Sequence, residues 1–154
     1  MLDALIVREI LYRSSITPER KQQLLSFKGA KRMSPEVKEL YELWQKYGFL
    51  SAKILHLVDE NSAGFFGQDY IQMVEALPEK NFDVLPIHDC FRVLPKYGND
   101  LRKMMIEICV RLTQSQIYNL AQEITGASFE KCLAPQESRA KLISGIQSSE
   151  YIIC

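Results

Sequence analysis

The chain has 154 residues, with 19 Lys and Arg balanced by 19 Asp and Glu, so its formal net charge is zero. That length suits one domain with a real core, and 47% apolar with 25% charged residues excludes intrinsic disorder. Zero net charge excludes a global field that would recruit nucleic acid or membrane, so any such binding needs a local patch. There is no apolar run of about 18 residues and no signal-peptide pattern, so neither membrane spanning nor export is expected. Cys90, Cys109, Cys132 and Cys154 are widely spaced with no CxxC pair, and only His56 and His88 could assist them. Four free thiols are expected, without a zinc site or a disulfide framework.

The first segment, MLDALIVREILYR, has helical spacing, with Leu2, Leu5, Ile6 and Ile10 on the apolar side and Arg8, Glu9 and Arg13 elsewhere. It carries no capping residue at its start. Thr17-Pro18 and Ser34-Pro35 each set a capping hydroxyl before a proline suited to the first helical position. The first pair opens a helix to about Phe27. The second opens a helix with Val37, Leu40, Tyr41 and Trp44 on one face and Gly48 as its stop. Residues 49–58 fit either a helix or a buried strand, since short apolar runs do not decide between them. His56, on the apolar side of that run, reads as a hydrogen-bonded core histidine.

GQDYIQMVEALP is a short helix closed by Pro78, and DVLPI and FRVL read as two strands of a hairpin over about 84–94. Pro86 makes the first an edge or bulged strand. The next helix takes Asn99 as cap and buries Leu101, Met104, Met105, Ile108 and Leu112. Helices over about 116–125, stopped by Gly126, and 135–146 follow, before the apolar tail SSEYIIC. The expected class is α+β, predominantly helical, with one domain over 1–154 packed around one small antiparallel hairpin. Residues 49–58 or the tail are candidates to lie beside the hairpin.

Between the two short strands stands His88-Asp89-Cys90. A carboxylate at a tight strand-turn-strand is either a turn former or a group held on a stiff support. Held there, one aspartate suits magnesium, which takes hard oxygen ligands and one or two protein carboxylates. LPIHDCFRVLP followed by NDLRKMMIEICVRL resembles motif C of single-subunit, phage-type and mitochondrial-type RNA polymerases. The family pattern is an apolar strand, His-Asp-Ser-Phe, a second strand, a proline and a helix. Ile87, His88, Asp89, Phe91 and Pro95 stand at the matching positions, and Cys90 departs from the usual serine. The related family A DNA polymerases generally have His-Asp-Glu, so a non-acidic third residue favours the RNA-polymerase branch. MLDALIVRE is similar to a segment the family places upstream, with Asp3 and Ala4 matching and Met1 where a serine is usual.

The resemblance implies that Asp89 ligates magnesium and that His88 sits beside the growing RNA end, making both catalytic. It implies DNA template, RNA product and nucleoside triphosphates as partners, and no membrane. The location expected is cytoplasmic, in a host if phage-encoded, with mitochondria left open. The family's reaction holds two metals between two aspartates. The earlier strand with the other aspartate, the phosphate-binding lysine and arginine, and the tyrosine-bearing helix have no counterpart here. Asp3, Asp59, Asp69, Asp83 and Asp100 lack the matching context, and Asp59-Glu60 reads as an exposed acidic turn. The chain is thus expected to hold half an active site, completed by a second polymerase chain or a missing N-terminal part, and to be inactive alone.

Residues 20–33 form a locally basic stretch, with Arg20, Lys21, Lys28, Lys31 and Arg32 and no acid. Lys28, Lys31 and Arg32 are candidate phosphate contacts, beside the alternative of a solvated helix face and loop. His88 and Cys90, two apart on a strand, could pair for thiol catalysis, but no protease signature or orienting group surrounds them. Two other readings stay open: a non-catalytic helical interaction module in which IHDCF is only a turn, and a fragment of a family A DNA polymerase.

Overall fold

The structure is a computed structural model that describes residues 2–87, 90–126 and 136–149. Among them are eight α-helices and one two-stranded antiparallel sheet, so the chain is α+β and predominantly helical. Helix α1 spans Leu2–Ser14, α2 Pro18–Ser26 and α3 Pro35–Tyr47. The caps anticipated from the sequence are made. Thr17 Oγ1 accepts the Arg20 N–H at 3.2 Å, and Ser34 Oγ accepts the Val37 N–H at 3.3 Å. At the end of α3, Gly48 takes a left-handed φ of 69°, which lets its N–H close on the Trp44 carbonyl at 2.8 Å.

Residues 49–58 are not a strand beside the hairpin. Phe49, Leu50 and Ala52 are buried, and the chain then turns into the short helix α4, Ile54–Leu57. A four-residue helix survives because its end is satisfied from elsewhere. The Arg20 guanidinium donates to the Leu55 carbonyl at 3.2 and 3.0 Å and to the Val58 carbonyl at 2.9 Å. Helix α5 spans Gly67–Glu75, and strands β1, Leu85–Ile87, and β2, Cys90–Arg92, form the hairpin. Helix α6 runs Gly98–Gln114, α7 Ile117–Thr125 and α8 Gln136–Ser148. Asn99 is not the cap of α6. A 3₁₀ turn over Pro95–Tyr97 leads directly into the helix, so Asn99 already lies inside its first turn. The stripe Leu101, Met104, Met105, Ile108 and Leu112 is buried as its spacing requires.

The core has two clusters. Helices α2 to α5 enclose one around Leu24, Val37, Ile54, Phe66, Met73 and Val74, onto which Tyr41 and Trp44 pack edge-on to Phe66 or tilted against it. The other lies between α1 and α6, around Ile10, Phe49, Phe82, Met104 and Ile108, and takes Val84, Phe91 and Val93 from the hairpin segment. Phe82 stacks on Tyr97 at 4.7 Å, and its N–H donates to the Ser14 carbonyl at 2.9 Å, which ties the hairpin's approach to the end of α1. Among the described residues no helix is long and apolar enough to cross a membrane.

The loops 27–33 and 59–64 cross backbone against backbone. Gly29 N–H donates to the Glu60 carbonyl at 3.0 Å, Gly64 N–H to the Gly29 carbonyl at 2.8 Å, and Lys31 N–H to the Asn61 carbonyl at 2.8 Å. A Cβ on Gly29 would fall 2.1 Å from the Glu60 oxygen, so only glycine permits this approach. Gly29→Ala should therefore lower stability by about 2 kcal/mol or more in urea unfolding. Gly98→Ala, helical and with nothing within 4 Å of the added methyl, should be neutral or stabilising by about 0.5 kcal/mol. Equal effects at the two positions would contradict the crossing.

Candidate functional site

The hairpin register is Leu85↔Arg92, Pro86↔Phe91 and Ile87↔Cys90. It leaves His88 and Asp89 as the two residues between the paired positions. Both lie outside the described residues. The strands that flank them are anchored on one side only. Phe91 and Val93 pack into the α1–α6 cluster, while Cys90, Arg92 and Leu94 are exposed, so burial alternates as a half-buried strand requires. Leu85 is 59% and Leu94 63% exposed, among the most open large apolar side chains described. The hairpin thus has a core side and an apolar outer face.

Cys90 is an exposed free thiol, and Cys109 is a free thiol whose pKa is pushed up by burial in α6. Cys132 and Cys154 lie outside the described residues. His56 is exposed, not in the core. It is hydrogen-bonded, as expected, with Nε2 3.0 Å from the Tyr12 carbonyl and its ring tilted against Tyr12 at 5.5 Å.

The basic stretch divides in two. Arg20 is occupied with the end of α4, and Lys21 Nζ donates to the Leu77 carbonyl at 2.5 Å. Lys28, Lys31 and Arg32 are exposed on the 27–33 loop. The loop crossing also sets an acidic turn against them, although no acid is near in sequence. Asp59 Oδ1 accepts from Ser62 Oγ at 2.7 Å and from the Asn61 N–H at 3.0 Å. These bonds, the Ser62 hydroxyl foremost, hold its carboxyl below the usual range, with a smaller pull from Arg32. Asp59 is a turn-forming carboxylate, as the sequence suggested, and of the three exposed cations Arg32 is the one that acts on it. The 27–33 loop packs on the α2–α5 cluster and the hairpin on the other, so the fold does not gather these candidates on one core.

The remaining aspartates are dispersed. Asp69 accepts from Trp44 Nε1 at 3.0 Å, Asp83 is exposed, and Asp100 lies in the first turn of α6. The Asp3 side chain lies outside the described residues. Among the described residues no group of three His, Cys, Asp or Glu could hold a metal ion.

Glu9 and Arg13, which their spacing sets off the apolar side of α1, are nevertheless buried. They lie one helical turn apart, with Arg13 Nε 3.8 Å from Glu9 Oε2. Ser51 Oγ donates to Glu9 Oε1 at 2.6 Å, and the Ala52 N–H donates to Oε2 at 2.8 Å. Arg13 Nη1 also donates to Glu107 Oε2 of α6, and Glu107 Oε1 accepts from Arg111 Nε at 2.8 Å. The only signal for this in the sequence is the pair of Glu-to-Arg steps four apart, Glu9–Arg13 and Glu107–Arg111, which elsewhere mark exposed helix faces. Glu107 and Arg111 open onto a cleft of about 430 Å³ between α5, α6 and α8, and Lys103 also lines a second of about 600 Å³. Each cleft mixes acids with bases.

No protein-family model matches this chain, and no curated protein matches it.

Burial raises the Glu9 pKa, against the opposing pull of Arg13, Ser51 and Ala52. The folded chain then holds this proton to higher pH than the unfolded chain does. Its contribution to stability is full below the ordinary carboxylate range and is lost as pH rises through the raised value. The difference in unfolding free energy between wild type and Glu9→Gln should fall with rising pH across that window and be level on either side. Arg13→Met, which leaves Glu9 buried without its cation, should cost about 3 kcal/mol in denaturant unfolding at neutral pH.

Proposed function

We propose that this chain is a component of a DNA-dependent RNA polymerase of the phage type, contributing at Asp89 one of the two carboxylates used for nucleotidyl transfer. The observation that carries the reading is the order of elements. An extended segment, the pair His88-Asp89 between the strands, a second strand, a proline-led turn at Pro95 and a long amphipathic helix α6 follow each other without a gap. Each is the element that the motif resemblance calls for at that place.

The chemistry then follows from charge. In-line phosphoryl transfer needs negative oxygens to hold two divalent ions, and a hairpin fixed on one side by Phe91 and Val93 is a stiff support for one ligand. This chain's share of the donor set is partial. One carboxylate at the hairpin fits magnesium only together with a second from another segment. Bound there, magnesium would polarise the phosphoryl oxygens. Asp89 would hold it, and His88 would lie beside the growing RNA end. DNA template, RNA and nucleoside triphosphates are the partners this reading requires, together with a second polypeptide bearing the first aspartate. The open outer face with Leu85 and Leu94 supports such a neighbour.

The same exposed leucines favour the second reading, a non-catalytic helical module that docks another protein through the hairpin. One substitution separates the two. Asp89→Asn in the assembled enzyme should lower nucleotide addition about a thousandfold, which is about 4 kcal/mol of barrier, and leave the thermal midpoint unchanged. Elongation at the normal rate by that variant would leave the docking module as the better account.

A further inference from the structure

The two edges of the hairpin are not equivalent, and Pro86 is the cause. Proline has no N–H to give to a ladder, so Pro86↔Phe91 is a pair without mutual hydrogen bonds, and Leu85↔Arg92 and Ile87↔Cys90 carry the bonding. In such a pair the backbone N–H and C=O of Phe91 point away from β1. The outer edge of β2 therefore offers both a donor and an acceptor at its centre. The outer edge of β1 offers at the matching place only the Pro86 carbonyl, which is half of what a further strand needs. The β2 edge thus meets the backbone requirement of a third strand, and the β1 edge meets half of it.

The side chains along that edge say what the third strand carries. Cys90, Arg92 and Leu94 are exposed at alternate positions. No carboxylate among the described residues pairs with Arg92. A strand laid along β2 meets one guanidinium flanked by a small and a large apolar group, with Leu85 across the ladder. An acidic side chain opposite Arg92, with apolar ones two residues to either side, satisfies all of these. A second copy of β2 does not, because antiparallel pairing about Phe91 sets two unpaired arginines on one small face.

We propose that the outer edge of β2 is the docking edge for an extended segment of a second polypeptide, with an acidic residue facing Arg92 between alternate apolar residues. This deepens the reading of the hairpin as a partner-facing element and rests on it. It needs neither metal nor nucleotide, so its failure and that of the nucleotidyl-transfer reading are seen separately.

The test uses the full chain, labelled for amide NMR, and two synthetic probes, acetyl-TVTETVT-amide and its lysine counterpart acetyl-TVTKTVT-amide. The acidic peptide should shift the Phe91 amide and slow its hydrogen exchange about tenfold, with the Leu85 and Ile87 amides unmoved. The lysine peptide should bind about fivefold more weakly, and Arg92→Glu, an exposed substitution, should reverse that preference. No response at Phe91 with millimolar acidic peptide, a response centred on β1, or an unchanged preference in R92E would each overturn the proposal.

Discussion

Glu9 and Arg13 are taken out of water together, and the arrangement of the whole chain turns on where they go. Removing such a pair from solvent costs several kcal/mol for each ion, and their mutual attraction at 3.8 Å repays little of it. Groups on other elements offset part of the rest: the Ser51 hydroxyl and Ala52 amide for Glu9, and Glu107 of α6 for Arg13, whose Nε and Nη2 find no hydrogen-bond partner among the described residues. Those partners exist only when α1, the 51–52 turn and α6 are in one relative position. The network therefore acts less as glue than as an address. It ties α1 to the 51–52 turn on one side and to α6 on the other.

From that tie between α1 and α6 the hairpin follows. Helix α6 begins directly after the Pro95–Tyr97 turn, and Tyr97 stacks on Phe82, whose amide is tied to the end of α1. The chain thus enters the hairpin from a point bonded to α1 and leaves it into α6. Phe91 and Val93 close the third side against the same cluster. A two-stranded hairpin is marginal alone in water, but this one is held at both ends and along one face. What remains open is its outer face and the free edge of β2. Rigid behind and open in front is what a residue-presenting element needs, whether the group presented is a carboxylate for magnesium or a strand edge for a partner.

Much of this was legible in the sequence where local chemistry decides the outcome. Thr17-Pro18, Ser34-Pro35 and Gly48 fixed helix ends because capping depends on the few residues present there. The five-residue stripe of α6 fixed its buried face for the same reason. Legibility failed where a distant partner decides. Arg20 and Lys21 read as free cations because the carbonyls of Leu55, Val58 and Leu77 that hold them lie far along the chain. Glu9 and Arg13 read only as lying off the apolar side of α1, because nothing near them in sequence announces Ser51 or Glu107. Lys28, Lys31 and Arg32 read as acid-free because only the Gly29–Gly64 crossing brings Asp59 and Glu60 beside them. Residues 49–58 were undecided between helix and strand, and Arg20 tipped the balance. Asp89 and His88 rest on the motif and on the register of the strands that flank them.

The most direct measurement is paramagnetic relaxation by manganese, standing in for magnesium, on the amide-labelled full chain. A bound ion broadens nearby amides even at low occupancy, so one carboxylate is enough to detect. The amides of Ile87 and Cys90, on either side of Asp89, should broaden first, and Asp89→Asn should abolish the effect. Broadening centred on Asp59 and Glu60, or equal broadening at the hairpin in Asp89→Asn, would contradict it.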